Sequence, residues 1–375
     1  STATAERLKN MTLSLGFIGG GINSVVGRTH YSASRMDGVW KLEAGVFSRD
    51  QAINIQTANE WGVSRDRLYS TIDEMVKAEQ SKLDAVVVLT PTPDHVEAIS
   101  TLLKHNIPVI SEKALVSTTA DVEKIRDVFN PTDSFLAVTY NYSGYPMVRE
   151  LRHRIAENEL GKINQIQIEM PADAFMRATP QPWRLVDGEI PTILLDLGVH
   201  LHHLCYFLTG LNPLEVNADF HNYSRFDGIV DDAHIWVKYE EEMNASLWMS
   251  KTAPGNRNGL KIRLFGGKGS AEWYQMDPEH LTISDLQGRR VTIDRGSETT
   301  ALEQYARFKP GHPIGFVEAF ANLYGDIAAS LLDFKSGQKN EHPYVYGLEH
   351  AAQGLHLLAA SNIAHQQRSW VKLKE

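Results

Sequence analysis

The sequence predicts an α/β protein in two parts: a parallel sheet wound with helices, then a second α/β domain built on a large, mostly antiparallel open sheet. Three observations carry this. Short apolar runs alternate with helical stretches as far as Tyr140, the pattern of βαβ units. Beyond that point strand-like runs follow one another across polar turns, several alternating apolar and polar residues as strands with one covered face do. The chain has 375 residues, too many for one ordinary core. The boundary is placed so that residues 1–143 form the first domain and 144–375 the second.

Composition narrows the classes. Apolar residues make up 42% and charged residues 22%, the proportions of a globular protein. The net charge of −9 supplies no basic excess to displace phosphate counterions, so nucleic acid is excluded as the main partner. The single cysteine, Cys205, forms no intramolecular disulfide; it fits a reducing compartment, and a cytoplasmic location is expected. Inside an apolar helix it reads as a packing residue. No run of about 18 apolar residues suggests a membrane span. Ser1 to Asn10 has no apolar h-region and does not read as a secretory leader.

Taken in order, Thr12 to Ile18 is an apolar strand running into Gly19-Gly20-Gly21. Gly19 and Gly21 match the first two glycines of a dinucleotide fingerprint, one for the turn and one for close approach of a pyrophosphate. The third position is open between Ser24 and Gly27, the latter followed by His30. The turn through Ile22, Asn23 and Ser24 then leads into a helix over about Val25 to Met36, whose N-terminus would hold the phosphates. Lys41 to Phe47 is the next strand, ending in Ser48-Arg49-Asp50. An acid at the strand end would favour the ribose hydroxyl of NAD, whereas Ser48 and Arg49 suit a 2′-phosphate. NADP is therefore expected over NAD, which Asp50 keeps open.

Gln51 to Trp61 predicts a helix, Arg67 to Tyr69 a short strand, and Asp73 to Gln80 a helix capped by Asp73. Leu83 to Leu89 reads as a buried parallel strand running into Thr90-Pro91-Thr92-Pro93, with a helix from about Asp94 to His105 that carries His95. Ile107 to Ser111 is another buried strand, with Glu112-Lys113 at its carboxyl end, where ligands of open α/β sheets bind. A lysine there can stabilise a forming alkoxide. Thr118 to Phe129 is a helix, Phe135 to Tyr140 a strand and Tyr145 to Asn158 a helix. The segment from Pro171 to Pro191 is irregular, and its Trp183-Arg184 could hold a ring and its polar groups as readily as pack a loop.

The stretch from Leu194 to His203 is apolar apart from Asp196, His200, His202 and His203. Asp196 and His200 are four apart and share a helix face, a plausible acid–base pair. A metal site of Asp196, His200 and His203 fits the same spacing, but no metal is expected. Strand-like runs follow from Leu214 to Ile293, and Gly315 to Phe334 and Tyr346 to His365 are long helices assigned to the second domain. The uncovered face of its sheet predicts a homodimer or homotetramer.

Together Gly19-x-Gly21 with His30, Thr90-Pro91-Thr92 with His95, Glu112-Lys113 and Asp196-x-Gly198-x-His200 resemble the Gfo/Idh/MocA oxidoreductase family over nearly the whole chain. The resemblance implies an N-terminal Rossmann domain and NAD(P)-dependent oxidation or reduction of a sugar, polyol or related ring alcohol. It implies Lys113 at substrate and nicotinamide, Asp196 holding the substrate hydroxyl, His200 as proton acceptor, and Tyr140 and Asn141 near the nicotinamide. Two departures stand out. Ala114 replaces the proline that usually follows Glu-Lys, so a trans Lys113–Ala114 bond is expected. Ile190-Pro191-Thr192 stands where a glycine run is usual, which alters the pocket wall. Two rival functions remain: a redox-cycling glycosidase or lyase with tightly held NAD, and a non-catalytic dinucleotide sensor.

Overall fold

The computed structural model describes residues 2–297, 305–338 and 341–374. The chain forms two compact units, Ser1–Asn141 with Phe316–Ala351, and Tyr142–Gly315 with Ala352–Glu375.

The first unit opens with helix α1 (Thr2–Lys9) and contains strands β1 (Leu13–Gly19), β2 (Trp40–Val46), β3 (Ala85–Leu89), β4 (Val109–Ser111) and β5 (Leu136–Val138). They form one sheet in the order β2-β1-β3-β4-β5, every pair parallel. β3 reads Ala-Val-Val-Val-Leu and is buried throughout, as a strand covered on both faces must be. The intervening helices are α2 (Val25–Arg35), α3 (Gln51–Trp61), α4 (Ile72–Glu79), α5 (His95–Lys104) and α6 (Thr119–Val128). α3 begins where the Asp50 carboxylate accepts the Ala52 and Ile53 N–H groups, and ends at Gly62 in a left-handed conformation. Two local expectations are corrected. Thr71, not Asp73, caps α4, because its hydroxyl reaches the Glu74 N–H and sets the cap two residues earlier. No strand forms at Arg67 to Tyr69: a 3-10 turn occupies Arg65–Arg67, and Leu68 makes a single bridge to Gly45.

The second unit begins with helix α7 (Pro146–Ala156) and strand β6 (Ile163–Pro171), then α8 (Ala174–Arg177) and α9 (Val199–Thr209). Strands β7 (Pro213–His221), β8 (Asp232–Tyr239), β9 (Asn244–Ser250), β10 (Lys261–Gly266), β11 (Gly269–Tyr274), β12 (Asp277–Asp285) and β13 (Arg290–Asp294) complete it with β14 (Val371–Lys372). The nine strands run β13-β12-β11-β10-β6-β9-β8-β7-β14. Only β6 and β9 pair in parallel; the other pairs are antiparallel. Alternation decides the faces: Ala245, Leu247 and Met249 of β9 point into the core, and Asn244 and Ser246 point out.

Helix α10 (Phe316–Lys335) departs from the expected division at 143/144. Its apolar stripe, with Phe320, Tyr324 and Ile327, joins Leu13, Leu15 and Phe17 in the core of the first unit. An apolar stripe says that a helix needs a partner, not which one, so the register of the sequence could not make this assignment. Helix α11 (Leu348–Gln367) follows.

Candidate functional site

In the first unit β1 ends at Gly19, whose φ of 79° is left-handed. A side chain there would press on the backbone nitrogen of Thr90 at 2.8 Å. The third fingerprint position belongs to Gly27. A Cβ at Gly27 would lie 2.0 Å from the Gly20 carbonyl oxygen, so α2 closes on the turn only because that side chain is missing. Ser24 instead caps α2, its hydroxyl accepting the Gly27 N–H. The Ile22 N–H donates to Thr57 Oγ1 at 3.0 Å, Asn23 is exposed, and Val25 at the helix start is 89% exposed although apolar. A cradle that any Cβ would fill, at an open helix N-terminus, fits the pyrophosphate of NAD(P).

After β2, the Ser48 hydroxyl accepts the Asp50 N–H and the Asp50 carboxylate is engaged in capping α3. Arg49 extends outward with its side chain 91% exposed, 3.8 Å from Asp94. After β3 the chain passes Thr90 and exposed Pro91 into α5. His95 is buried behind this loop. Its Nε2 lies 2.8 Å from the Thr90 carbonyl oxygen and its Nδ1 2.8 Å from that of Ala114. Burial pushes its pKa down, outweighing the carbonyls that favour the charged ring. Both ring nitrogens of His95 thus face backbone carbonyls, one of them donating, and neither is presented to a cofactor.

Glu112 follows β4 and is buried. One carboxylate oxygen is 2.7 Å from His30 Nε2, and the other accepts the Lys113 N–H at 3.0 Å. Lys113 itself is half-buried. The Lys113–Ala114 peptide is cis, which corrects the trans expectation. The intrinsic preference of a dipeptide was the only term in that expectation; here Ala114 is buried and its carbonyl is held by His95. Tyr140 and Asn141 are both buried just after β5, Tyr140 edge-on to His350 at 5.3 Å. Burial pushes the Tyr140 phenol well up.

In the second unit the mid-chain stretch is not a uniform α-helix. Leu194–Gly198 forms a π turn, in which the Val199 N–H reaches back to the Leu194 carbonyl, and α9 continues from it. Four residues therefore no longer span one regular turn between Asp196 and His200, the premise of the shared-face reading. Asp196 is buried between two cations. Arg184 Nε donates to its Oδ2 at 2.7 Å and Nη2 to its Oδ1 at 3.3 Å; Lys251 Nζ donates to Oδ2 at 2.5 Å. The Arg184 guanidinium stacks 4.3 Å over Trp183, whose Nε1 donates to Gln181 Oε1. The pair expected to grip a ring thus spends its cation on Asp196. His200 is buried with its ring edge-on to Tyr142 at 4.6 Å. His203 lies 2.8 Å from the Ser143 hydroxyl, and burial, then the neighbouring His200, holds its pKa well below the ordinary value. Two cations on Asp196 oppose a metal there, and among the described residues no group of three or more ligating side chains gathers.

Lys251 was missed by sequence reasoning. A signal existed: Ala245, Leu247, Met249 and Lys251 share one parity, and the first three face the core. A charge on that face needs a buried partner.

Comparison with known proteins agrees with these features. Residues 13–140 match the profile of an oxidoreductase family with an NAD-binding Rossmann fold, and residues 148–272 match the GFO/IDH/MocA C-terminal domain. The uncharacterized oxidoreductase YfiI of Bacillus subtilis is 27% identical over 98% of this chain and 99% of its own. The myo-inositol 2-dehydrogenase of Thermotoga maritima is 24% identical over 83% of this chain and 85% of its own. Among solved structures, an oxidoreductase from Sinorhizobium meliloti superposes with a TM-score of 0.86 at 29% identity, over 97% of this chain and 100% of that one. An inositol dehydrogenase homolog from Azotobacter vinelandii, complexed with NADH and myo-inositol, shares the fold with a TM-score of 0.88 at 24% identity, over 97% and 98% of the two chains. The glycine cradle, the carboxyl-end Glu112-Lys113 and the matched profiles converge: this chain belongs to the Gfo/Idh/MocA family of oxidoreductases.

Proposed function

We propose that the protein is a dehydrogenase or reductase of a sugar, polyol or related ring alcohol, with the first unit binding NADP in preference to NAD and the second binding substrate. The observation that carries the reading is buried Asp196, fixed by Arg184 and Lys251 just ahead of His200. The nicotinamide, when bound, supplies or accepts the hydride. Asp196 holds the substrate hydroxyl in one orientation. The His200 imidazole takes the hydroxyl proton in oxidation and returns it in reduction. The Lys113 ammonium favours the alkoxide as its charge develops. A relative described as a myo-inositol 2-dehydrogenase supports the substrate class. Exposed Arg49 beside a committed Asp50 supports NADP.

The test is His200→Gln, assayed on a panel of polyols and sugars. Turnover should fall about a thousandfold, with NADPH affinity unchanged in a fluorescence titration. Undiminished turnover would remove His200 from its role. Arg49→Ala should weaken NADPH about tenfold and leave NADH alone; equal effects on both would end the NADP preference.

The reading extends to assembly and place. The outer face of the nine-stranded sheet carries a recess of ≈ 250 Å³ lined by Gln165, Gln167, Trp236, Ser246 and Trp370. A second copy covers it on this proposal, in the cytoplasm where Cys205 stays reduced. Light scattering on Trp236→Lys should show loss of the dimer or tetramer; a monomeric parent chain would refute it.

A further inference from the structure

Three buried side chains from three elements of the first unit form a chain that ends on the backbone of Lys113. Tyr324 comes from α10, His30 from α2, and Glu112 from the end of β4. Tyr324 Oη lies 2.6 Å from His30 Nδ1, His30 Nε2 lies 2.7 Å from Glu112 Oε1, and Glu112 Oε2 accepts the Lys113 N–H at 3.0 Å.

Chemistry gives the chain a direction. An ionised carboxylate only accepts, so His30 carries a proton on Nε2 and donates it to Glu112, while its Nδ1 meets the phenol. Burial alone would raise the Glu112 pKa, but the His30 bond and charge, then the Lys113 charge, outweigh it and keep the carboxyl low. Burial, then the Glu112 charge, pushes the Tyr324 phenol well up, so it stays a donor. The Glu112 N–H is also held, donating to the Val88 carbonyl at 3.0 Å. On the other side of the lysine, His95 Nδ1 meets the Ala114 and Leu115 carbonyls at 2.8 and 3.1 Å. None of these ties uses the lysine's ammonium.

We propose that the Tyr324–His30–Glu112 chain is a positioning device for Lys113, fixing its Cα, and so the reach of its ammonium, against the helix that carries the glycine cradle. Gly27 and His30 lie on adjoining turns of α2, so the helix seated by the glycine turn also seats the lysine. The inference rests on the reading that Lys113 works at the reacting carbon. It assigns His30 and Tyr324 as positioning residues, acting through Lys113.

The experiment compares His30→Leu, which deprives Glu112 of its donor, with His30→Gln, whose amide can donate to Glu112 and whose carbonyl can accept from Tyr324. His30→Leu should lower kcat up to about 100-fold with dinucleotide Kd within twofold, and His30→Gln should recover most of it. In a Lys113→Met background His30→Leu should cost no further turnover, since it acts through the missing group. A second readout needs no turnover: in protein carrying ¹³C-methylated lysines, the Lys113 resonance, identified by its loss in Lys113→Arg, should shift in His30→Leu and return in His30→Gln. If His30→Leu does not fold, Tyr324→Phe, which removes only the hydroxyl, replaces it with a smaller shift and kcat loss expected. Additive losses in the Lys113→Met background, or an unmoved Lys113 resonance, overturn the proposal. Full turnover in Lys113→Met overturns instead the role given to the lysine itself.

Discussion

Glu112 in the first unit and Asp196 in the second are each 7% exposed, yet they are answered by opposite means. Glu112 meets an imidazole and a backbone N–H. Asp196 meets two full cations, one of them a forked guanidinium. A buried charge needs a partner, and the kind of partner decides what the acid can do. Two cations make Asp196 a fixed acceptor, and on the proposed function proton transfer falls to His200. An imidazole and a backbone N–H hold both oxygens of Glu112 beside Lys113 and turn the acid into a geometric tie. The first unit thus uses its buried acid to set a position, and the second uses its own to set a charge.

Deleting each acid should show the contrast at its largest. Asp196→Ala leaves Arg184 and Lys251 together without their anion, and a stability loss of about 3–5 kcal/mol is expected in urea unfolding. Glu112→Gln keeps the shape and still accepts from His30, so about 1 kcal/mol is expected. Similar losses would mean that the two acids are held alike. Lys251→Met should fall between them, because Arg184 still pairs with Asp196 and the methionine can lie where Lys251 now covers the Phe175 ring at 4.7 Å. About 2 kcal/mol is expected, with kcat reduced more than dinucleotide affinity.

The parts readable from sequence were those with local causes. α3 runs from Gln51 to Trp61 as expected because Asp50 caps one end and Gly62 closes the other. The glycine turn was readable, but the choice between Ser24 and Gly27 needed the approach of α2 to Gly20, a contact that spacing does not report. The same limit hid the π turn at Leu194–Gly198, whose residues are ordinary helix formers. It also hid the place of α10, since Tyr324 meets His30 across 294 positions of sequence. Lys251 lay within reach of strand parity, while His95 looked like a ligand contact until both its nitrogens were found on backbone carbonyls.

The smallest effect separates the buried histidines from the buried Glu112 by pH. His95 and His203 are buried and held below the ordinary histidine value, by desolvation first in both. An unfolded chain takes up these protons near pH 6.5 and the folded chain resists them, so stability falls as pH drops through that value. Each ring contributes at most about 1.4 kcal/mol per pH unit. Glu112 has the same sign at lower pH: its folded pKa lies below the ordinary carboxylate value, so its stabilisation is present above that value and is lost as pH falls through the folded one. The Glu112 window opens lower, near the ordinary carboxylate value. His203→Asn, which can still bond to the Ser143 hydroxyl, should flatten the decline in urea-unfolding stability over the interval just below about pH 6.5. Glu112→Gln should leave that interval unchanged and act only below about pH 4.5. A Glu112→Gln effect at the higher pH would mean that His30 titrates with its carboxylate, and the contrast between a tie made of hydrogen bonds and a clasp made of charges would fail.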